Sequence, residues 1–253
     1  MTGMLEGKVG LVTGAGRGLG RACANLLARE GAKVVVAEID EATGEETASL
    51  IREGGGDAAF VRTDIANPDD VRSMVRFAIE TFGALDCAIN NAVAFIARTP
   101  LAAIADEEWS RLARINIDGT FLCMKYEIEA MLNGGGGAIV NIGSGRETTG
   151  EAGLSWYLGA KQAIYGMTKC AALDYGEKGI RINAVAPGPM WTPALRQTAA
   201  ENPGHLEGHI KRVPLRRIGE PEEVAEAAVW LCSPRAGYVT GATLSADGGY
   251  VLG

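Results

Sequence analysis

The chain has 253 residues, 47% of them apolar, enough for one large core or two small ones. Its 35 glycines follow no fixed period, which excludes collagen-like and solenoid designs. The formal charge of -7, with no long block of like charges, argues against a nucleic-acid partner, which would require a basic face.

Short β-branched runs alternate with longer amphipathic stretches. KVGLVTG is a first strand, and LGRACANLLAREG a helix closed by Gly31. AKVVVAEID is a buried second strand, followed by a helix near 41–53. DAAFVRTDI is a third strand; NPDDVRSMVRFAIETFG is a helix with Pro68 near its start. LDCAINNA is a fourth strand, and DEEWSRLARINIDGTFLCMKYEIEAMLNGG one long helix pattern. GAIVNIGS is a fifth strand, followed by a helix from about Ser155 to Tyr175. IRINAVAPG, EPEEVAEAAVWLCS and ATLSADGG complete the series as strand, helix and short strand. This rhythm predicts a single α/β domain over 1–253, a doubly wound parallel sheet of about seven strands with helices on both faces.

Residues 189–215 break the rhythm. A mixed insertion after a strand reads either as a substrate lid or as a plain surface hairpin. The five cysteines are scattered and form no C-x-x-C, so they read as reduced core thiols of a cytoplasmic protein. The N-terminal residues lack a signal-peptide pattern, and no apolar run approaches the roughly 20 residues of a membrane span.

TGAGRGLG, Thr13 to Gly20, lies between a predicted strand and a predicted helix. Glycines there let the chain turn tightly and let a pyrophosphate approach the free N–H groups of the helix. Gly14, Arg17, Gly18, Leu19 and Gly20 are therefore cofactor-site candidates. Glu38 ends the next strand, where a carboxylate accepts both ribose hydroxyls and repels a 2′-phosphate; it favours NAD over NADP. Arg17 pulls the other way if it faces a phosphate, and reads otherwise as a solvated loop residue.

Ser144 ends the fifth strand, on the side of the sheet where ligands bind. The following helix carries one pattern twice, Tyr157 with Lys161 and Tyr165 with Lys169. Only the first pair sits at the ligand end. Tyr165 is eight residues on, about 12 Å along the axis and rotated by roughly 80°, so it is expected to be a helix-face residue whose replacement by Phe changes little.

Taken together these motifs strongly resemble the short-chain dehydrogenase/reductase family over nearly the whole chain. The family's glycine pattern is TGAGRGLG, its Y-x-x-x-K is YLGAK, and its serine is Ser144. NNAV at 90–93 resembles its N-N-A-G, INIDGTF carries its helix asparagine at Asn116, and PGPMWT resembles its P-G-x-x-x-T. The resemblance implies catalytic roles for Asn116, Ser144, Tyr157 and Lys161. It implies cofactor contacts at Asp64 and Ile65 for the adenine, at Asn91 and Ala92, and at Pro187, Gly188, Met190 and Thr192 for the nicotinamide amide. A homotetramer is implied as well, built through the helices at 105–132 and 155–175 and the C-terminal region.

In the expected chemistry, Tyr157 takes the alcohol proton, its pKa lowered by Lys161 and the nicotinamide charge. Ser144 holds the oxygen, Lys161 also binds the nicotinamide ribose, and Asn116 anchors a water leading from Lys161 to solvent. The four-residue spacing argues against the enoyl-reductase branch, which spaces the pair wider. Val93 departs from the usual glycine and is expected to crowd its loop. Val93, Arg146 and Trp191 are substrate-pocket candidates; Arg146 faces either a polar substrate group or a surface acid. Trp156, Met190 and Trp191 form an apolar wall, ordinary packing or a subunit contact. FLCMKYEIEAM, ALDYGEKGIRINA and AVWLCS resemble the subgroup acting on alicyclic secondary alcohols and diols. Two alternatives stay open, a 3-oxoacyl or other ketone reductase using NADPH and a non-catalytic NAD-binding regulator. His205 and His209 lack the zincin glutamate and a third ligand, so no metal is expected.

Overall fold

Runs such as VGLVT and KVVVAE have no polar side to offer, so they form stable strands only when covered on both faces. A computed structural model describes residues 3–146, 150–201 and 203–252, without the side chains at 194, 203, 205 and 209. The histidine pair and the residues 147–149 lie outside what is described. In this structure seven strands form one sheet: β1 (Val9–Thr13), β2 (Lys33–Glu38), β3 (Ala58–Arg62), β4 (Cys87–Asn90), β5 (Gly137–Ile142), β6 (Ile180–Pro187) and β7 (Thr243–Ala246). The order is β3-β2-β1-β4-β5-β6-β7, and every pairing is parallel. The winding reverses between β1 and β4, which places a crevice at their carboxyl ends.

The helices are α1 (Gly18–Arg29), α2 (Glu41–Glu53), α3 (Pro68–Phe82), α4 (Asp106–Ala113), α5 (Gly119–Gly134), α6 (Ser155–Tyr175), α7 (Pro193–Glu201), α8 (Glu207–Arg212) and α9 (Pro221–Cys232). Local chemistry sets their ends. Asp40 caps α2 by accepting from Ala42 and Thr43 N–H. Asn67 caps α3, with Pro68 behind it and Gly83 closing it in the left-handed region. One core lies on the face of α1, α2 and α9, the other on the face of α3, α5 and α6. Each aliphatic side chain buried there contributes about 1.5–3 kcal/mol against exposure.

The long helix expected over 106–135 is two helices. Between α4 and α5, residues Arg114–Asp118 widen into a π-helical turn. Such turns cluster at functional sites, because they re-aim one side chain without ending the helix; here that side chain is Asn116. The insertion after β6 is helical, made of α7, a 3-10 turn at Pro203–Leu206, and α8. The thiol expectation holds for Cys23, Cys87, Cys123 and Cys232, which are buried, but Cys170 is exposed on α6. Burial drives the Cys23 thiol up to about 12, so it stays a thiol at neutral pH. Among the described residues no helix is long and apolar enough to cross a membrane, and no group of His, Cys, Asp and Glu is arranged to hold a metal.

One polar cluster crosses the sheet below the crevice. Asn90 donates to Glu127 at 2.9 Å and to Asn141 at 3.0 Å, and Asn141 donates to Thr168 at 2.9 Å. Burial lifts the Glu127 carboxyl to about 7. These bonds tie β4 and β5 to α5 and α6 immediately beneath the residues described next.

Candidate active site

The glycine loop after β1 is shaped by close approach. Gly14 has φ +62, and a Cβ there would lie 2.8 Å from the Ala92 Cα. A Cβ at Gly20 would lie 2.1 Å from the Gly14 carbonyl oxygen. Only glycine lets α1 start this close to β1. Arg17 stands at the N-cap of α1 and supplies no side-chain cap, so the first N–H groups of α1 are left for an anion. Asn91 secures the loop from the β4 side, its amide donating to the Thr13 and Gly14 carbonyls at 3.1 Å each. The Thr13 hydroxyl accepts from the N–H groups of Asn91 and Ala92.

Glu38 ends β2 as expected and reaches across to this loop. Its carboxylate accepts from Gly16 N–H at 3.0 Å, Ile39 N–H at 2.8 Å and Asp40 N–H at 3.2 Å. Arg17 pairs with Asp40 at 3.0 Å on the surface. Leu19 and Ile65 turn their side chains inward; Ile65 packs where a Cβ on Gly119 would come within 2.8 Å of it. Asp64 accepts from Ala66 N–H at 2.9 Å beside them. The cradle, the uncapped helix and the carboxylate at the ribose position fit a dinucleotide.

Two elements bring the reacting groups together. Ser144 follows β5 and is buried. Tyr157 and Lys161 lie one turn apart near the start of α6, with the ammonium 5.7 Å from the centre of the phenol ring. Lys161 is buried and donates to the Ile142 carbonyl at 2.7 Å. The Ser144 side chain is close enough to the Tyr157 phenol to favour its charged form. Burial lowers the Lys161 pKa to about 8 and raises that of Tyr157. Opposing the rise at Tyr157 are the Ser144 side chain and the Arg146 charge. Within the chain Ser144 and Arg146 favour the phenolate, and burial outweighs both.

Asn116 is buried in the π-helical turn. Its side-chain oxygen accepts from Ala94 N–H at 2.9 Å and its amide donates to the Ala94 carbonyl at 3.1 Å. The side chain clamps the loop after β4. That loop carries Val93, which is half-buried and is not among the described residues with left-handed backbone. Val93 thus replaces glycine without strain.

The loop also carries a residue the sequence reading missed. Phe95 stacks on Tyr157 with centroids 5.5 Å apart, and buried Trp156 meets both rings edge-on. A large exposed aromatic two residues beyond NNAV was the available signal. Arg146 is mostly buried, ion-paired with Glu151 and 5.1 Å from the centre of the Tyr250 ring. Glu151 also pairs with Arg98, so the pair is an internal one and not a surface bridge.

On the far side of the crevice Pro187 and Gly188 close β6. A Cβ on Gly188 would strike the Asp247 backbone at 2.6 Å. Thr192 caps α7 by accepting from Leu195 N–H at 3.2 Å. Met190 bridges to Gly219 and packs against the core on the α1 face. The Trp191 ring is covered by Arg196, 5.1 Å away.

Tyr165 requires the largest correction. It is buried, and its hydroxyl sits on the backbone of Ser144. Lys169, by contrast, is exposed.

Comparison with known proteins agrees with this geometry. The family model described as Enoyl-(Acyl carrier protein) reductase matches residues 14–251. The chain is 46% identical over 248 residues to 2,5-dichloro-2,5-cyclohexadiene-1,4-diol dehydrogenase of Sphingobium indicum, covering 97% of this chain and 98% of that one. It is 39% identical over 250 residues to cyclohexanol dehydrogenase of an Acinetobacter species, covering 99% and 97%. The crystal structure of levodione reductase superposes with a TM-score of 0.91 at 31% identity, over 98% of this chain and 99% of that one. With its glycine loop, Ser144, Tyr157 and Lys161 in the positions described, the chain belongs to the short-chain dehydrogenase/reductase family, whose members use nicotinamide cofactors.

Proposed function

We propose that this protein is an NAD-dependent dehydrogenase that interconverts a ring-borne secondary alcohol and its ketone. The observation that carries the reading is the convergence of Ser144, Tyr157 and Lys161 at the carboxyl end of β5, beside the glycine cradle. Relatives named for cyclohexanol and for a cyclohexadiene diol support the ring. Phe95, stacked on Tyr157, supports it too, because it offers a flat apolar wall to a cyclic substrate.

Gly14, Gly18 and Gly20 with the start of α1 would hold the pyrophosphate, and Glu38 the adenosine ribose. Asp64 and Ile65 lie at the adenine end; Asn91, Ala92, Pro187, Gly188 and Thr192 lie toward the nicotinamide. An oxidised nicotinamide held there would supply the acceptor for the hydride leaving the alcohol's C–H bond, and a positive charge at this end of the sheet. The Ser144 hydroxyl holds the substrate oxygen against the Tyr157 phenol. Tyr157 as phenolate accepts the alcohol proton, and as phenol returns it in the reverse direction. Lys161 keeps its ammonium beside that oxygen and offers its remaining N–H groups to the nicotinamide ribose. Asn116 holds the Ala94 segment, and with it Val93 and Phe95, over the site. The helices at 189–215 act as the lid, excluding water once substrate is in place.

A panel of cyclic and linear secondary alcohols, followed through reduced-nicotinamide absorbance, tests this reading. Cyclohexanol and cyclic diols are expected to exceed linear alcohols of equal carbon number by about tenfold in kcat/KM. Equal rates across the panel would remove the ring from the proposal. A homotetramer belongs to the same reading, supported by the exposed Phe121 and Leu132 on α5 and Leu173 on α6. Sedimentation at the mass of a single chain would remove it.

A further inference from the structure

Ser144 stands where the sheet runs out of partners. β4 pairs with β5 only as far as Asn90 opposite Asn141. Beyond that, the odd-numbered positions keep their neighbour on the other side. Gly143 N–H donates to the Val185 carbonyl and Gly145 N–H to the Pro187 carbonyl, both at 2.7 Å. The even-numbered positions point toward the missing strand. Two side chains of α6, four residues apart, take its place. Lys161 donates to the Ile142 carbonyl at 2.7 Å. The Tyr165 hydroxyl accepts from Ser144 N–H at 2.6 Å and donates to the Ser144 carbonyl at 2.7 Å.

We infer that Tyr165 is a positioning residue for the reaction: its single hydroxyl, clamping both backbone groups of Ser144, fixes where the Ser144 side chain meets the substrate oxygen. The inference rests on the reading of Ser144 as the group that holds that oxygen. A buried N–H and C=O past a strand end must be paired, and pairing both through one rigid phenol leaves the serine little freedom. The fit is tight. A Cβ on Gly143 would lie 2.2 Å from the Tyr165 oxygen, so the glycine makes room for the clamp. Tyr165 holds Ser144 through its backbone groups, and its effect on turnover passes through the serine. The working pair beyond Tyr157 is therefore Lys161 with Tyr165, which together replace the absent edge of β4.

The test is a double-mutant cycle on the NAD-saturated enzyme: wild type, Tyr165→Phe, Ser144→Ala and the double variant. Tyr165→Phe is expected to lower kcat on the order of 10–100-fold, the cost of a misplaced reacting group. Its Kd for NAD is expected to stay within about twofold, a split that general loosening of the fold would not produce. In the double variant kcat should equal that of Ser144→Ala alone, because a serine that is gone cannot be misplaced. Unchanged kcat in Tyr165→Phe, with Ser144→Ala crippled, overturns the inference and leaves the serine reading standing. Losses that multiply in the double variant also overturn it. Full activity in Ser144→Ala removes both readings together. Should Tyr165→Phe fail to fold, Gly143→Ala, which keeps the hydroxyl but drives it from its notch, is judged by the same criteria.

Discussion

Replacing Tyr157 by Phe is expected to lower kcat for alcohol oxidation by roughly 10²–10⁴-fold, the usual contribution of a positioned acid–base group. NAD affinity should remain near that of the wild type, because the dinucleotide cradle is made by the glycine loop, α1 and Glu38. The ring stays, so its stacking on Phe95 and edge contact with Trp156 persist and the fold should not suffer. The pH dependence carries a sign. Burial lifts the Tyr157 pKa above its ordinary value, so the base form needed for oxidation grows as pH rises. In the wild type kcat/KM for oxidation should therefore climb with pH while ketone reduction declines. The residual activity of Tyr157→Phe should lose that slope. Steady-state rates across pH, alongside fluorescence titration of NAD, measure both. A variant that turns over normally, or that keeps the slope, would place the base elsewhere.

Glu38 governs the second large effect. Its carboxylate accepts three backbone N–H groups, including that of Gly16 in the cofactor loop. A 2′-phosphate brought beside it would add like charge, at a cost of several kcal/mol. Glu38→Gln keeps an acceptor for Gly16 N–H while removing the charge. The ratio of kcat/KM for NADP over NAD should rise on the order of 100-fold in that variant, since each 1.4 kcal/mol is a factor of ten. The rise should come from improved NADP use together with weaker NAD use. An unchanged ratio would shift the choice of cofactor to Arg17, which here pairs with Asp40.

The order of strands and helices was legible because parallel strands covered on both faces must be apolar throughout, and glycine, proline and capping residues punctuate them. Helix α6 begins at Ser155 and ends at Tyr175 as the pattern required. The break at Arg114–Asp118 was not legible, because a π-turn keeps the helical periodicity on either side of it. Within the site, Ser144, Tyr157, Lys161 and Glu38 could be read because each sits at the end of an element whose direction the topology fixes. Tyr165 could not. Its axial distance from Tyr157 was right, but the distance that mattered was lateral, to a strand end whose own neighbour stops short at Asn90. The partners of Asn116 and Arg146, Ala94 and Glu151, could not be read, because they lie in irregular loops that periodicity does not describe.

The most direct test of the central claim mixes the intact protein with NAD and cyclohexanol and measures ketone and reduced nicotinamide together. The account predicts one ketone per reduced nicotinamide, at a rate that falls away in Tyr157→Phe. Binding of NAD with no turnover of any cyclic or linear alcohol, and none of the matching ketones with reduced cofactor, would contradict it and leave a nucleotide-binding protein without catalysis.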